Sequence, residues 1–291
     1  MNKVVFIYGP TAVGKSGIGI ELAKKIDGEI ISADSMQIYK GLNIGSAKVT
    51  NEEMQGVVHH LLDIKEPNED YSVANFCEDT NRIIKDIFSR GKTPIVVGGT
   101  GLYFKSLING YDFGGLKRDQ HESIKLEELS CEELYDRIKE IKPTEEVDKN
   151  NKRRLIRRLT LLKNDKNLSV KNTFTYPYKL FCLVDDRDKI YNRINRRVDK
   201  MVNEGLIDEA EYLFKLNNPN CLAMKAIGYK EFLPYFNGEK TLDECKEILK
   251  QKTRNYAKRQ FTFMNQFNDA IVIKYNGLNE TTNLIIKCLE E

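Results

Sequence analysis

The chain has no apolar run approaching the roughly 20 residues that a membrane-crossing helix needs, so a helical membrane protein is excluded. Its first apolar stretch, Val4 to Tyr8, runs at once into Gly9-Pro10. That is shorter than the about 7 to 15 residues of a signal-peptide core, and the expectation is a cytoplasmic chain with its native start. A CxxC pair is also lacking: Cys77, Cys131, Cys182, Cys221, Cys245 and Cys288 lie far apart. This argues against a zinc knuckle or a disulfide framework and for reduced, mostly buried thiols. Nor is there an excess of one charge, since 46 Lys and Arg face 43 Asp and Glu for a net of +3. Neither an acidic solvating tail nor a histone-like basic protein fits that balance. Internal repeats and low-complexity segments are absent as well.

What remains is a globular composition of 291 residues, 41% hydrophobic and 31% charged, enough for one large domain or two modest ones. Short β-branched runs at 3 to 9, 29 to 34 and 93 to 99 alternate with helical stretches, the pattern of parallel βαβ crossovers. In YSVANFCEDTNRIIKDIFSRG, Ser72 is placed to cap a helix and Gly91 to close it. KLFCLV at 179 to 184 and AIVIKY at 270 to 275 add two more strands, giving about five. Between Gly114 and Tyr178 the strand signal stops and a charged, Leu/Ile-punctuated pattern takes over. The expected architecture is an α/β fold with a parallel sheet and helices on both faces, formed by residues 1–112 and 180–291. Residues 113–179 form an inserted helical domain.

The strongest chemical signal is GPTAVGKS, Gly9, Pro10, Thr11, Ala12, Val13, Gly14, Lys15 and Ser16, which fits GxxxxGK[ST] between a strand and a helix. Backbone N–H groups of such a P-loop turn inward on phosphate oxygens, and the helix after the loop adds its positive end. Lys15 then reaches a terminal phosphate, and the Ser16 hydroxyl is placed to hold Mg²⁺. A glycine turn that carries Lys-Ser by accident would not need that flanking strand and helix. The usual ligand of the motif, in a P-loop NTPase-like core, is a nucleoside triphosphate such as ATP.

The second strand delivers Asp34 and Ser35 at its carboxyl end, where ligands of open α/β sheets bind. Asp34 is open to several roles: metal ligand, partner of a substrate hydroxyl, general base, or simply a turn or N-cap residue. The third strand ends in Gly98-Gly99-Thr100-Gly101, without the carboxylate a hydrolysing NTPase often places there. That weakens an ATPase reading.

Eight blocks, GPTAVGKS, ISADSMQIYKGLNIGSAK, HHLLDI, YSVANF, GKTPIVVGGTGLY, RINRRVDKMVNEGL, AIGYKE and TRNYAKRQFTF, together resemble the tRNA dimethylallyltransferases (tRNA isopentenyltransferases) in order and over nearly the whole chain. The resemblance implies transfer of a dimethylallyl group from dimethylallyl diphosphate to N6 of adenosine 37 in tRNA, just 3′ of the anticodon. The products are N6-dimethylallyladenosine and diphosphate. It further implies that the P-loop holds the donor's diphosphate instead of a nucleotide, that Asp34 is the base for the N6 proton, and that Thr100 lies near the reacting groups. Lys225, in MKAIGYKE, falls where the family uses a basic residue for the diphosphate. Relatives more commonly carry arginine there, and lysine lacks its planar fork.

The +3 balance conceals clusters. Arg154, Arg157 and Arg158 at helical spacing suit a sugar-phosphate backbone, in a block that resembles the family's anticodon stem-loop segment. Arg158 and Thr160 stand where relatives show a small residue and an acid, and the inserted region is shorter than is usual. Arg254, Lys258 and Arg259 form a second cluster, and acidic residues between Glu127 and Glu146 offset both in the total. The DSMQ segment, Asp34, Ser35, Met36 and Gln37, resembles the part that grips the extruded adenosine. Gln37 is expected to read adenine, and Met36 replaces a common arginine. Any such extrusion costs a few kcal/mol of unstacking. His59 and His60 lack a third metal ligand, and the expectation is that they shape a loop beside the substrate channel. The anticipated species is a monomer. The rival readings are a small-molecule or nucleotide kinase and a P-loop RNA-binding module without catalysis.

Overall fold

The structure, a computed structural model, describes residues 3–110, 125–164, 174–216 and 221–291. Two compact units divide between Lys105 and Ser106 and between Thr175 and Tyr176. The expected boundary at 112/113 lies outside the described residues, and the other falls earlier than the 179/180 read from the sequence.

The larger unit is built on strands β1 (Val4–Tyr8), β2 (Gly28–Ala33), β3 (His59–His60), β4 (Thr93–Gly98), β5 (Tyr178–Val184) and β6 (Ile271–Lys274), all paired in parallel in the order β3-β2-β4-β1-β5-β6. Six strands stand where the sequence suggested about five. The extra one, His59–His60, pairs with Ile30 and Ile31 and is too short and polar to carry a strand pattern.

Strands β1, β2 and β4 are buried along their whole length, as parallel strands covered on both faces must be. Around them run α1 (Lys15–Lys25), the short α2 (Asn51–Met54) and α3 (Val73–Ser89). Helix α4 (Gly101–Asn109) comes after β4 and continues across the division between the units. Ile18 and Leu22 of α1 pack with Val5, Ile7, Ile95, Phe181 and Leu183 in one apolar core. Each such fully buried side chain contributes roughly 1.5–3 kcal/mol. Ser72 caps α3 with a reciprocal Asn75 bond, and Gly91 lies just past its end at a positive φ of 74°.

The smaller unit, among the described residues, holds α5 (Cys131–Ile141) and α6 (Lys152–Lys163). Leu134 and Ile138 meet Leu155, Ile156, Leu159 and Leu162 in a separate core. Ser130 and Glu133 form a capping box that starts α5. Glu145 forms an ion pair with Arg158 within the same unit.

After β5 the larger unit continues with α7 (Arg187–Asn203), α8 (Leu206–Lys215), α9 (Leu233–Phe236), α10 (Leu242–Met264) and α11 (Leu278–Glu290). The 23-residue α10 begins at a Thr241/Glu244 capping box. The register aligns the strand ends: Gly98 pairs with both Ala33 and Tyr8, and Tyr8 with Cys182. The residues after β1, β2, β4 and β5 therefore emerge at one edge of the sheet. No described helix is long and apolar enough to cross a membrane. All six cysteines are free thiols, Cys182, Cys221 and Cys245 fully buried and the others partly so.

Candidate active site at the carboxyl edge of the sheet

The GPTAVGKS segment joins β1 to α1, with Gly14 in a left-handed conformation, φ 102°, that only glycine adopts without strain. Lys15 opens α1, and its Nζ donates to the carbonyl of Pro10 at 2.7 Å, folding the ammonium over the loop. Burial lowers the Lys15 pKa to about 7, the nearby Arg197 guanidinium adds to the shift, and Asp34 opposes it. Ser16 is exposed, one residue into the helix.

Helix α7 presents Arg193 and Arg197 to the loop, one turn apart. Ile190, Ile194, Val198 and Met201 form the buried side of that helix. Arg193 Nη1 donates to the carbonyl of Ala12 at 2.9 Å, its Nη2 pairs with Asp185 just beyond β5, and its guanidinium lies 5.4 Å from the Tyr275 ring. Arg197 Nη2 donates to Thr11 Oγ1. Its Nε is buried and has no hydrogen-bond partner among the described residues. Burial lowers the Arg197 pKa, and Asp34 offsets part of that shift. Two basic groups set near one another without a full set of acceptors are suited to an anion.

Asp34 comes directly after β2 and is half-buried. Its Oδ1 accepts the Met36 N–H at 2.9 Å. Burial raises its pKa, while the N–H groups of Met36 and Gln37 and the charges of Lys15 and Arg197 pull the other way. Across the edge, Thr100 Oγ1 accepts the Ser35 N–H at 3.3 Å, and Thr100 N donates to the carbonyl of Ala33. Helix α10 lies beside this loop: Tyr256 Oη reaches Gly99 O at 3.4 Å, and the Gln260 amide bonds both Gly99 O and Thr11 N.

The structure thus brings Gly9 to Ser16, Asp34, Ser35, Met36 and Thr100 to one place. Gln37 departs from expectation. Its Oε1 accepts from Ser32 Oγ at 2.9 Å and its Nε2 faces the carbonyls of Ser46 and Ala47 at 3.4 and 3.3 Å, so here the amide holds the loop together. The same loop is pinned by Glu209 of α8, whose carboxylate accepts the N–H groups of Asn43, Ile44 and Gly45 and the hydroxyl of Tyr229. Lys225 is exposed at the end of a single turn, Ala223–Lys225, with no hydrogen bond or ion pair to the P-loop among the described residues.

The basic clusters divide. Arg254 is engaged with Asn195 at 2.6 Å and more weakly with Gln251, while Lys258 and Arg259 are exposed, Arg259 lying 5.6 Å from the Tyr256 ring. In the smaller unit Arg154 is exposed, Arg157 is half-buried, and Arg158 is committed to Glu145. His59 and His60 lie in the sheet and not in a loop. They form the edge strand β3, and His60 Nε2 lies 2.8 Å from Glu29 Oε2 near the amino end of β2, with Arg90 on the same carboxylate. Among the described residues no three His, Cys, Asp or Glu side chains gather as a metal site.

Sequence reasoning missed Arg193, Arg197, Asp185 and Gln260. The two arginines carry a readable signal, an i,i+4 pair flanking an apolar stripe in RINRRVDKM, but only the placement of β5 beside β1 shows what they face.

The family model described as IPP transferase matches residues 37–267. The tRNA dimethylallyltransferase of Anoxybacillus flavithermus is 49% identical over 274 residues, covering 91% of this chain and 88% of the relative. That of Streptococcus thermophilus is 49% identical over 266 residues, covering 90% and 87%. Among solved structures, the full-length tRNA isopentenylpyrophosphate transferase of Bacillus halodurans is similar with a TM-score of 0.76 at 40% identity, covering 100% of this chain and 97% of that one. A eukaryotic dimethylallyltransferase acting on tRNA gives 0.82 at 29% identity, covering 99% and 78%.

Proposed function

The chain belongs to the IPP transferase family, and from that premise we propose that it moves a dimethylallyl group from dimethylallyl diphosphate to N6 of adenosine 37 of tRNA, beside the anticodon. One observation carries the assignment of roles: Lys15 bonds the Pro10 carbonyl and Arg197 the Thr11 hydroxyl of the P-loop, and the Asp34 carboxylate is near enough to bear on the charge of both. Cradle and base are what this reaction requires.

The P-loop N–H groups, the amino end of α1, Lys15 and Arg197 neutralise the donor's diphosphate. The allylic C–O bond then breaks, and the diphosphate keeps the electron pair. The N6 lone pair forms the new C–N bond, and the N6 proton passes to an Asp34 oxygen. A base in that position is worth about 10²- to 10⁴-fold. A pKa raised by burial makes the ionised carboxylate a better proton acceptor. The Thr100 hydroxyl, fixed by Ser35 N–H, stands beside the same carboxylate's loop.

A magnesium ion fits the donor set, because a hard cation that binds one protein hydroxyl can take its remaining ligands from phosphate oxygens and water. Ser16 would hold it, and it would supply further neutralisation of the leaving diphosphate. The acceptor is read as an anticodon stem-loop met by Arg154, Arg157, Lys258 and Arg259. Lys225 is retained as a secondary partner of the diphosphate. The acting species is taken as a cytoplasmic monomer.

The test is product formation with purified protein, dimethylallyl diphosphate, Mg²⁺ and unmodified tRNA, without ATP. Diphosphate released in proportion to prenylated tRNA supports the assignment. Phosphoryl transfer that depends on ATP would instead make the protein a kinase.

A further inference from the structure

Gln260 is 4% exposed, deep in the unit, yet its side chain serves the backbone of two loops far apart in sequence. Its Oε1 accepts the Thr11 N–H at 2.8 Å, and its Nε2 donates to the Gly99 carbonyl at 2.8 Å. Thr11 lies in the phosphate cradle, whereas Gly99 precedes Thr100, which holds Ser35 next to Asp34. The helix position is itself fixed, because Tyr8 Oη donates to the Gln260 carbonyl at 3.0 Å. There is no slack in the contact: a Cβ on Gly99 would collide with Gln260 Nε2, so the second glycine of GGTG is the space the amide fills.

We propose that Gln260 is a positioning residue that locks the P-loop to the Gly98–Gly101 loop and so sets the separation between the donor's diphosphate and the groups that receive the acceptor. The inference rests on the prenyl-transfer reading and deepens it. Near-attack geometry is sensitive to such spacing, and displacements of about 1 Å cost up to about 100-fold in rate. The lock needs one acceptor and one donor on a flat group of glutamine's length. Gln260→Leu supplies neither. Gln260→Glu keeps the acceptor for Thr11 but sets a second oxygen against the Gly99 carbonyl, a clash relieved only when the carboxyl is protonated and becomes a donor.

Gln260→Glu therefore turns the lock into one that closes as pH falls. The titratable groups around it are Tyr8 of β1 and Tyr256 of α10, both raised by burial and neutral throughout. Arg197 of α7 bonds the Thr11 hydroxyl. Lys15 and Asp34 titrate in the same site, and Gln260→Leu, which adds no charge, gives their contribution over the same pH range.

The experiment measures kcat for prenyl transfer per folded molecule, and binding of inorganic diphosphate by calorimetry, for native protein and both variants at about pH 6 and about pH 8.5. Gln260→Leu is expected to lose about 10- to 100-fold in kcat while binding diphosphate within about three-fold of native. The Gln260→Glu to native kcat ratio is expected to rise about ten-fold from the higher pH to the lower. A ratio flat with pH, or a folded Gln260→Leu protein with kcat within about two-fold of native, overturns the inference. If Gln260→Leu does not fold, the pH ratio of the glutamate variant alone decides. No transfer by the native protein would instead overturn the reading on which the inference rests.

Discussion

The backbone N–H of Ser35 donates to Thr100 Oγ1 at 3.3 Å, joining the first residues beyond β2 to those beyond β4. Asp34 sits immediately before one partner and Gly99 immediately before the other. The Asp34 carboxylate and the Thr100 hydroxyl are thus parts of a single bonded edge, level with the P-loop because Gly98 is in register with both Ala33 and Tyr8.

Asp34→Asn keeps the shape of that edge and removes the proton acceptor. Turnover is expected to fall by about 10²- to 10⁴-fold, with affinity for tRNA changed no more than a few-fold. Steady-state rates beside equilibrium tRNA binding check this, and near-normal turnover would remove Asp34 as the base.

Lys15, lowered to about 7 in the free site, should return toward its ordinary range when an anion binds. That rise sets the sign. Well below pH 7 the ammonium is protonated both free and bound, and binding takes up no proton. Above it, binding takes up a proton at Lys15, so diphosphate affinity falls as pH rises. Calorimetry in two buffers of different ionisation enthalpy reads the uptake, and Lys15→Met isolates it from the ligand's own titration. Equal uptake by both proteins would contradict the assignment.

Arg197 has a buried Nε with no partner among the described residues, a donor in place before any ligand arrives. Arg197→Leu should weaken binding of inorganic diphosphate by about 10- to 100-fold, the range for a lost charge-assisted hydrogen bond. Unchanged affinity would return Arg197 to a purely structural bond with Thr11.

The inserted arginines should separate by experiment. Arg154 is exposed, and Arg154→Ala should flatten the salt dependence of tRNA binding by a slope of about 0.7 to 0.9. Arg158 pairs with Glu145, and Arg158→Ala should lower the unit's resistance to urea while leaving that slope unchanged. The reverse result would move the RNA contact from one arginine to the other.

What the sequence made legible were groups that come directly after strands. Gly9 to Ser16, Asp34 and Thr100 sit where a parallel sheet delivers ligand-binding residues, so local pattern was enough to place them at that edge. Arg193, Arg197 and Gln260 come from helices far along the chain and reach the site only because β5 lies against β1 and α10 beside the β4 loop. Gln37 misled for a related reason. Its spacing from Asp34 suited a base contact, but Ser46 and Ala47 fold back to take its amide. Strand β3 escaped notice because two histidines carry no alternation.

The most direct measurement is nucleoside mass analysis of unmodified tRNA after incubation with the protein, dimethylallyl diphosphate and Mg²⁺. The account predicts adenosine converted to N6-dimethylallyladenosine at the position 3′ of the anticodon, without ATP, by the native protein and only traces by Asp34→Asn. An unmodified adenosine with the native protein would contradict it.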